Sequence, residues 1–122
     1  MEPGQKAKRL RIYISEDDHV GHQATYVAVV GLLKREHAAG ATVLRGLEGF
    51  GGSGVIHTVN LGDLVEKLPM VIEWIDTPER VERLLPQLEQ MVPRGLMTVD
   101  ETVVVVCRRN GARDGTRDGS QG

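Results

Sequence analysis

The chain has 122 residues, the size of one domain that can bury a core without disulfides or a structural metal. Its formal net charge is −2 and its apolar fraction is 40%, so composition supplies no electrostatic basis for binding nucleic acid or an anionic membrane surface. The single cysteine excludes an intrachain disulfide, and every apolar run is too short to span a bilayer.

The first half of the chain predicts two strands and one helix. Residues 1–8 are polar and are predicted to be flexible. Residues 9–15 alternate apolar and polar side chains, which is the pattern of a half-buried strand. After a polar connection at 16–22, residues 23–39 place apolar side chains at helical spacing. A second strand is predicted at 43–50.

The second half predicts a strand, a helix and a last strand. Residues 69–76 are almost continuously apolar, as in a strand inside a sheet. Thr77 is a favourable N-cap for a helix that ends near residue 92, and Pro86 is expected to kink this helix. Residues 96–106 predict the last strand, with 103–106 as its buried half.

The order of elements is βαββαβ, which predicts a ferredoxin-like α+β fold. In this fold, two helices cover one face of a four-stranded antiparallel sheet. The domain is expected to span 9–108, and the glycine-rich imperfect repeat in 109–122 predicts a disordered tail. The uncovered face of the sheet is expected to be rich in valine. We therefore expect a homo-oligomer that covers this face.

A glycine-rich segment follows the second predicted strand. Gly49, Gly51, Gly52 and Gly54 lie within six residues. Glycines leave backbone amides unhindered and allow another molecule to approach closely, so the segment is interpreted as a ligand loop. A flexible turn is the alternative. His57, just beyond the glycines, is either a ligand contact or a polar residue at a strand edge.

Several motifs together resemble the PII signalling-protein superfamily. The pattern Gly-Phe-Gly-x-x-Gly-x-x-His-Thr stands at 49–58, and Leu68-Pro69 precede an apolar strand that carries Glu73. Gly-Ala-Thr-Val-x-Arg-Gly at 40–46 is similar to an uncharacterised PII-like branch. The resemblance spans about residues 10–106. It implies a homotrimer with ligand sites in the clefts between subunits, where PII proteins hold adenine nucleotides.

The resemblance also implies which residues bind the ligand. Residues 49–51 match the base of the PII loop, whose backbone lies against the nucleotide, and residues 93–98 match a second nucleotide-facing loop. In PII proteins the first of these loops engages a membrane transporter or an enzyme. The predicted ligand-binding residues are Gly49, Phe50, Gly51, Gly52, Gly54, His57, Thr58, Arg94, Gly95, Met97 and Thr98.

The chain departs from the PII pattern where phosphate groups are bound. Leu96, Val104 and Val106 stand where PII proteins have a lysine and two arginines. Each lost charge-assisted hydrogen bond is worth about 1.5–3 kcal/mol, so weak binding of ATP is expected. The alternatives for the ligand are a monophosphate, a cyclic nucleotide, a different anion, or no nucleotide at all. Compensating cations are available at Arg45, Arg94, Arg108 and Arg109.

Asp18, His19 and His22 form a second candidate site, for a divalent metal. The two histidines are three residues apart and would share one face if the helix began early. The alternative is a solvated acidic segment before a helix N-terminus. Glu73 is interpreted as a structural carboxylate. Trp74 is interpreted as a core or interface aromatic rather than a base-stacking platform.

No catalytic machinery is predicted. Ser53 lacks the strand-turn-helix context of a nucleophile, and Cys107 is interpreted as a packing residue at the end of a strand. The sequence therefore predicts a regulatory, ligand-sensing homotrimer without a resident cofactor. Its expected partners are a small anionic metabolite, with an adenine nucleotide as the leading candidate, and a membrane transporter or channel. No secretory signal is visible, so a cytoplasmic location is expected. The alternative function is a metal-binding stress or tolerance protein.

Overall fold

The computed structural model describes residues 1–50, 56–58 and 68–108. Its elements in chain order are β1 (Lys6–Ser15), β2 (His19–Val20), β3 (Gln23–Ala24), α1 (Thr25–Arg35), β4 (Thr42–Arg45), β5 (Glu48–Phe50), β6 (Ile56–Thr58), β7 (Pro69–Asp76), α2 (Pro78–Met91) and β8 (Leu96–Val103). None of the helices in these ranges combines the length and the apolar character needed to cross a membrane.

Four of the strands form one antiparallel sheet in the order β4-β7-β1-β8. The remaining strands form two small hairpins, β2 with β3 and β5 with β6. Both helices pack on one face of the large sheet, because apolar residues of α1 and α2 join one core with alternate residues of β1 and β7. This architecture confirms the predicted ferredoxin-like α+β fold. The core residues are Leu10, Ile12, Ile14, Val29, Leu32, Leu33, Met70, Ile72, Trp74, Val81, Leu84 and Leu88.

Three predicted boundaries differ from the observed ones in the first half of the chain. β1 starts at Lys6 instead of residue 9, because pairing with β8 extends to Lys6 and buries Ala7 completely. α1 starts at Thr25 instead of residue 23, because β3 at Gln23–Ala24 pairs with β2. The helix also stops at Arg35, before the predicted end at residue 39.

The predicted strand 43–50 is two strands. β4 ends at Arg45, and the Gly46 amide donates a hydrogen bond to the Pro69 carbonyl at 2.7 Å. A Cβ at position 46 would lie 2.8 Å from Cγ of Pro69, so only glycine fits this close approach. Beyond it the chain leaves β7, and β5 pairs with β6 instead.

The prediction that 103–106 forms a buried strand end is wrong. Val103 and Val105 are 57% and 83% exposed, and Val106 is 48% exposed. Among the described residues, β8 is an edge strand that pairs only with β1, and it ends at Val103. The run of valines therefore extends beyond the part of the sheet that the helices cover.

Asp76 ties the end of β7 to both helical connections. Its carboxylate is fully buried and accepts four hydrogen bonds. Oδ2 accepts from the Ala39 amide at 2.8 Å and from Nε1 of Trp74 at 2.9 Å. Oδ1 accepts from the Thr77 amide at 2.8 Å and from Nη1 of Arg80 at 3.0 Å. Trp74 is thus a core aromatic, as predicted.

Thr77 caps α2 as predicted. Its hydroxyl accepts a hydrogen bond from the Arg80 amide at 3.3 Å, and Pro78 is the first helical residue. The helix continues through Pro86 to Met91. It ends one residue before the predicted position, which places residues 92–95 at the edge of the sheet beside β8.

Candidate functional site

The face of the sheet without helices is arranged in cross-strand rows. Side chains alternate between the two faces of a strand, so the residues between the core positions of β1 and β7 lie on the open face. One row crosses all four strands and is apolar: Leu44, Val71, Tyr13 and Leu96. The next row is polar: Thr42, Glu73, Arg11 and Thr98.

Ion pairs occupy the middle of the open face. Nε of Arg11 lies 2.9 Å from Oε2 of Glu73, so Glu73 is a structural carboxylate, as interpreted. Nη2 of Arg9 lies 2.6 Å from Oδ2 of Asp100. This hydrogen bond holds the pKa of Asp100 below its ordinary value. The contribution of the pair is therefore present above the ordinary pKa and is lost as pH falls through the lowered one.

The expectation of a valine-rich open face is wrong. Val99 pairs with Leu10, a core residue, and therefore lies on the helix side of the sheet, as does Val103, which pairs with Lys6 four positions further along. Because β8 is an edge strand, these valines stay exposed without lying on the open face. The apolar area of the open face is concentrated in the row that contains Tyr13.

The predicted ligand loop begins as a hairpin. β5 and β6 pair so that Gly49 lies opposite His57 and Phe50 lies opposite Ile56. Thr58 lies opposite Glu48. The hairpin thus brings the two ends of the Gly-Phe-Gly-x-x-Gly-x-x-His-Thr motif side by side. The predicted residues Gly51, Gly52 and Gly54 lie outside the described residues.

Glu16 anchors the base of this segment. Its Oε2 lies 2.8 Å from Nη2 of Arg45, at the end of β4. Its amide donates to the Leu68 carbonyl at 2.8 Å, immediately before β7. One residue therefore holds both ends of the chain between β4 and β7. Arg45, one of the compensating cations in the sequence analysis, pairs with this carboxylate.

The second predicted ligand segment divides between two surfaces. Arg94 is exposed, and Thr98 lies on the open face opposite Arg11. Met97 instead lies opposite Ile12 and packs against the core, so its side chain is separated from Thr98 by the sheet. Gly95 has φ +106°, and a Cβ there would lie 2.4 Å from the Tyr13 carbonyl oxygen. Its glycine is required by the fold.

The two predicted ligand segments lie at one end of the sheet but at opposite edges. The end of β4 and the start of β8 flank the same ends of β7 and β1. Three strand spacings of about 4.8 Å separate the edge strands by about 14 Å. A ligand that contacts both segments must therefore span this end of the sheet or lie between two subunits.

The positions that carry phosphate-binding cations in PII proteins are built differently here. Leu96 belongs to the apolar row of the open face. Val104 exchanges backbone hydrogen bonds with the N-terminal segment, donating to the Gln5 carbonyl and accepting from the Gly4 amide. Val106 is exposed and lies beyond the sheet. None of these side chains can bind a phosphate group.

A pocket of about 300 Å³ opens between the β2–β3 hairpin and the end of α2. It brings Arg94 together with Asp18 and His19, which belong to different predicted sites. Sequence reasoning missed the other lining residues, notably Thr25 at the start of α1. One local feature distinguishes this end of α1. Ala24 occupies the N-cap position, where a serine, threonine, aspartate or asparagine is preferred, so no side chain caps the helix.

The predicted metal site is not assembled. His19 lies in β2 and α1 begins only at Thr25, so His19 and His22 do not share the helical face on which that prediction depended. Nδ1 of His19 lies 2.5 Å from the Asp17 carbonyl oxygen. Within residues 1–50, 56–58 and 68–108, no three histidine, cysteine, aspartate or glutamate side chains come together to hold a metal ion.

Comparisons with known proteins agree with this fold. Residues 7–104 match the family DUF190, described as "Uncharacterized ACR, COG1993". UPF0166 protein MJ1524 of Methanocaldococcus jannaschii is 36% identical over 97 residues, which are 79% of this chain and 89% of that protein. A UPF0166 protein of Aquifex aeolicus is 33% identical over 100 residues, covering 82% of this chain and 94% of that protein.

Among solved structures, the fold is similar to that of CPII, a nitrogen regulatory PII-like protein from Thiomonas intermedia K12. The structure of CPII bound to ADP, AMP and bicarbonate superimposes with a TM-score of 0.63 and 22% identity, covering 84% of this chain and 91% of that chain. A second structure, of CPII bound to ADP and bicarbonate, has a TM-score of 0.60 and 20% identity with the same coverage.

Proposed function

This chain belongs to the DUF190 family and has the fold of PII-like proteins, and from this premise we propose that it is a ligand-sensing homotrimer. Its ligand is a small anionic metabolite bound in the clefts between subunits, with an adenine nucleotide as the leading candidate. The protein has a regulatory role and carries out no catalytic step. We place it in the cytoplasm, with a membrane transporter or channel as its partner.

The observation that carries this proposal is the placement of the two predicted ligand segments. They lie at the same end of a PII-like sheet, at edges about 14 Å apart. A ligand in a cleft between subunits does not need to bridge this distance within one subunit, because a neighbouring subunit supplies the second wall of the cleft. CPII, which has the same fold, is bound to ADP and AMP in its solved structure.

Signalling is proposed to proceed through the loop 49–58. A ligand shifts the loop between conformations only by as much as its affinity differs between them. Glu16 holds both ends of the chain between β4 and β7, through Arg45 and Leu68. Such anchoring confines a ligand-dependent change to the segment between these ends, where a partner protein can detect it.

The trimer is proposed to form through the apolar row of the open face. Leu44 and Leu96 are 56% and 57% exposed, and Tyr13 is 38% exposed. They lie in one row with Val71 across all four strands. Burying such a row against another subunit is favourable at about 25 cal/mol for each Å² of apolar surface removed from water. The ion pairs beside the row supply a polar rim.

We expect AMP or ADP to raise the melting temperature of the protein more than ATP does. A ligand at a hundredfold excess over its Kd adds about 2.7 kcal/mol of stability. The uncharged side chains at Leu96, Val104 and Val106 leave a third phosphate without cations. The measurement is a thermal-shift series supported by isothermal titration calorimetry. Gly51→Val is expected to abolish the nucleotide effect, whereas Gly40→Val, at an open position, retains it. Equal nucleotide binding by both variants would contradict the assignment of the loop.

We expect the wild-type protein to sediment as a trimer and the double variant Leu44→Asp, Leu96→Asp to sediment as a monomer. The substitutions place carboxylates in the apolar row, where burial without a partner is unfavourable. Val105→Asp is the matched control, because Val105 is 83% exposed and lies beyond β8. A monomeric wild type, or a double variant that remains trimeric, would overturn this interface.

A further inference from the structure

The pocket between the β2–β3 hairpin and the end of α2 has the character of a second ligand site. Its volume of about 300 Å³ is at the small end of the range for small-molecule sites. Ile14, Met91 and Val92 supply apolar walls, and Asp18 and Arg94 supply charges of opposite sign. These five residues come from β1, the β1–β2 connection and the end of α2 with the segment that follows it, all of the same subunit.

The N-terminus of α1 opens at this pocket without a side-chain cap. Ala24 occupies the N-cap position, and the first turn contains no acidic residue. The Thr25 amide donates to the Asp18 carbonyl at 2.7 Å. The remaining amides of the first turn have no intrahelical acceptor, and the helix dipole favours negative charge at this end. This end of α1 is therefore suited to a carboxylate.

A buried hydroxyl provides an independent indication of a ligand. Thr25 lines the pocket although only 2% of its surface is exposed. Among residues 1–50, 56–58 and 68–108, its side-chain oxygen has no hydrogen-bond partner. Buried hydroxyl groups are normally paired, because leaving one unpaired costs the free energy of its lost hydration. A polar ligand in the pocket would supply the missing partner.

The charges around the pocket select the class of ligand. Asp18 accepts a hydrogen bond from the Ser15 amide through Oδ2, at 3.1 Å, and its carboxylate lies in the lining of the pocket. The Asp18 carboxylate would repel a phosphate dianion, and the guanidinium of Arg94 would repel a metal ion. A molecule that carries both signs of charge matches both sides of the pocket. Its uncharged part would lie against the apolar walls.

We propose that this pocket binds a small zwitterionic amino acid with an apolar side chain. The carboxylate lies at the N-terminus of α1, near the Thr25 hydroxyl and Arg94, and the ammonium group lies near Asp18. This site shares Arg94 with the residues predicted to bind the nucleotide, whereas Asp18 and Thr25 belong to this site alone. A PII-like subunit with both sites would respond to two metabolites.

The test is titration calorimetry of the full chain with L-leucine and two analogues. Leucinamide lacks the carboxylate, and 4-methylpentanoate lacks the ammonium group. L-Leucine is expected to bind at least about tenfold more tightly than either analogue, since each analogue leaves one charged wall of the pocket without a partner. No binding of L-leucine, or equal binding of all three compounds, would overturn the proposal.

Variants identify the pocket as the binding site. Thr25→Val preserves the shape of the side chain and removes its hydroxyl, and Asp18→Asn removes the carboxylate charge at a partly exposed position. Each is expected to weaken L-leucine binding about tenfold, and Thr42→Val, at an exposed threonine outside the pocket, is expected to leave it unchanged. Unchanged binding by folded Thr25→Val and by Asp18→Asn would overturn the assignment.

The same variants separate this proposal from the proposed nucleotide site. Thr25→Val is expected to bind AMP as the wild type does, and Gly51→Val is expected to bind L-leucine as the wild type does. Loss of AMP binding in Thr25→Val would contradict the separation of the two sites. Absence of nucleotide binding in the wild type would reject the nucleotide proposal while leaving the L-leucine titration as an independent result.

Discussion

Replacing Asp76 with alanine is expected to lower the free energy of unfolding by about 3–5 kcal/mol, the range for removing one partner of a buried charged network. The carboxylate is fully buried and accepts hydrogen bonds from the Ala39 and Thr77 amides, from Trp74 and from Arg80. Alanine would leave these donors without their acceptor. The measurement is urea denaturation at a fixed protein concentration.

Asp76→Asn is expected to recover little of this loss. Each carboxylate oxygen accepts two hydrogen bonds, so an amide NH₂ group in place of either oxygen would face two donors. Glu82→Gln is the control, because Glu82 pairs with Lys8 on the surface at 2.8 Å. Exposed ion pairs contribute little to stability, because water screens the attraction. A loss for Asp76→Ala no larger than that for the control would contradict the role of Asp76 as a junction.

Replacing Gly95 with alanine is expected to lower the free energy of unfolding by about 1–3 kcal/mol from backbone strain, with steric overlap adding to the loss. Gly95 has φ +106°, and its Cβ would lie 2.4 Å from the Tyr13 carbonyl oxygen and 3.2 Å from Cγ2 of Ile14. The backbone must move to admit it. Urea denaturation measures the loss, and circular dichroism checks that the variant folds.

Gly21→Ala separates the two sources of this effect. Gly21 also has positive φ, at +62°, but no atom of the described part of the chain lies within 4 Å of its Cβ position. Its replacement is expected to cost about 1 kcal/mol, from conformation alone. Equal losses for the two variants would show that the close approach to Tyr13 contributes nothing to the loss in free energy of unfolding. The result for Gly95→Ala also concerns ligand binding, because Gly95 lies in the same loop as Arg94, a predicted ligand-binding residue.

Gly95 shows that a glycine within a PII-like motif can be required by the fold. The resemblance of its segment to the second loop of PII proteins predicts that Gly95 binds the ligand. The structure gives it a different, sufficient reason to be glycine, which is the packing of its Cα against β1. Arg94 beside it has no such structural task among the described residues, and it lines the pocket at the N-terminus of α1. It is therefore the stronger candidate for contact with a ligand.

Short-range patterns predicted much of the fold and the family. The strand Pro69–Asp76 and the N-cap at Thr77 follow from adjacent residues, and both have the predicted bounds. The motif at 49–58 indicated the PII-like branch, which the family match confirms at the level of DUF190 and the fold. The identity of the ligand and the trimeric state stay predictions, because both depend on contacts between this chain and another molecule.

Predictions failed where burial depends on partners far along the chain. Four successive valines from Val103 indicated a buried strand, but the edge position of β8 leaves Val103 and Val105 exposed. The predicted metal site depended on an early start of α1, which the β2–β3 hairpin prevents. In both cases the local residue pattern was compatible with either outcome.

The sequence by itself determined the order of the two helices and the four strands of the large sheet, and the family, because periodicity, caps and glycine spacing act between residues close in the chain. Only the tertiary structure decided which residues share a surface. It joined Asp76 to Ala39, Glu16 to Leu68, and the start of α1 to Arg94. These contacts arise from strand order and helix packing, which bring distant residues together and which no local pattern encodes.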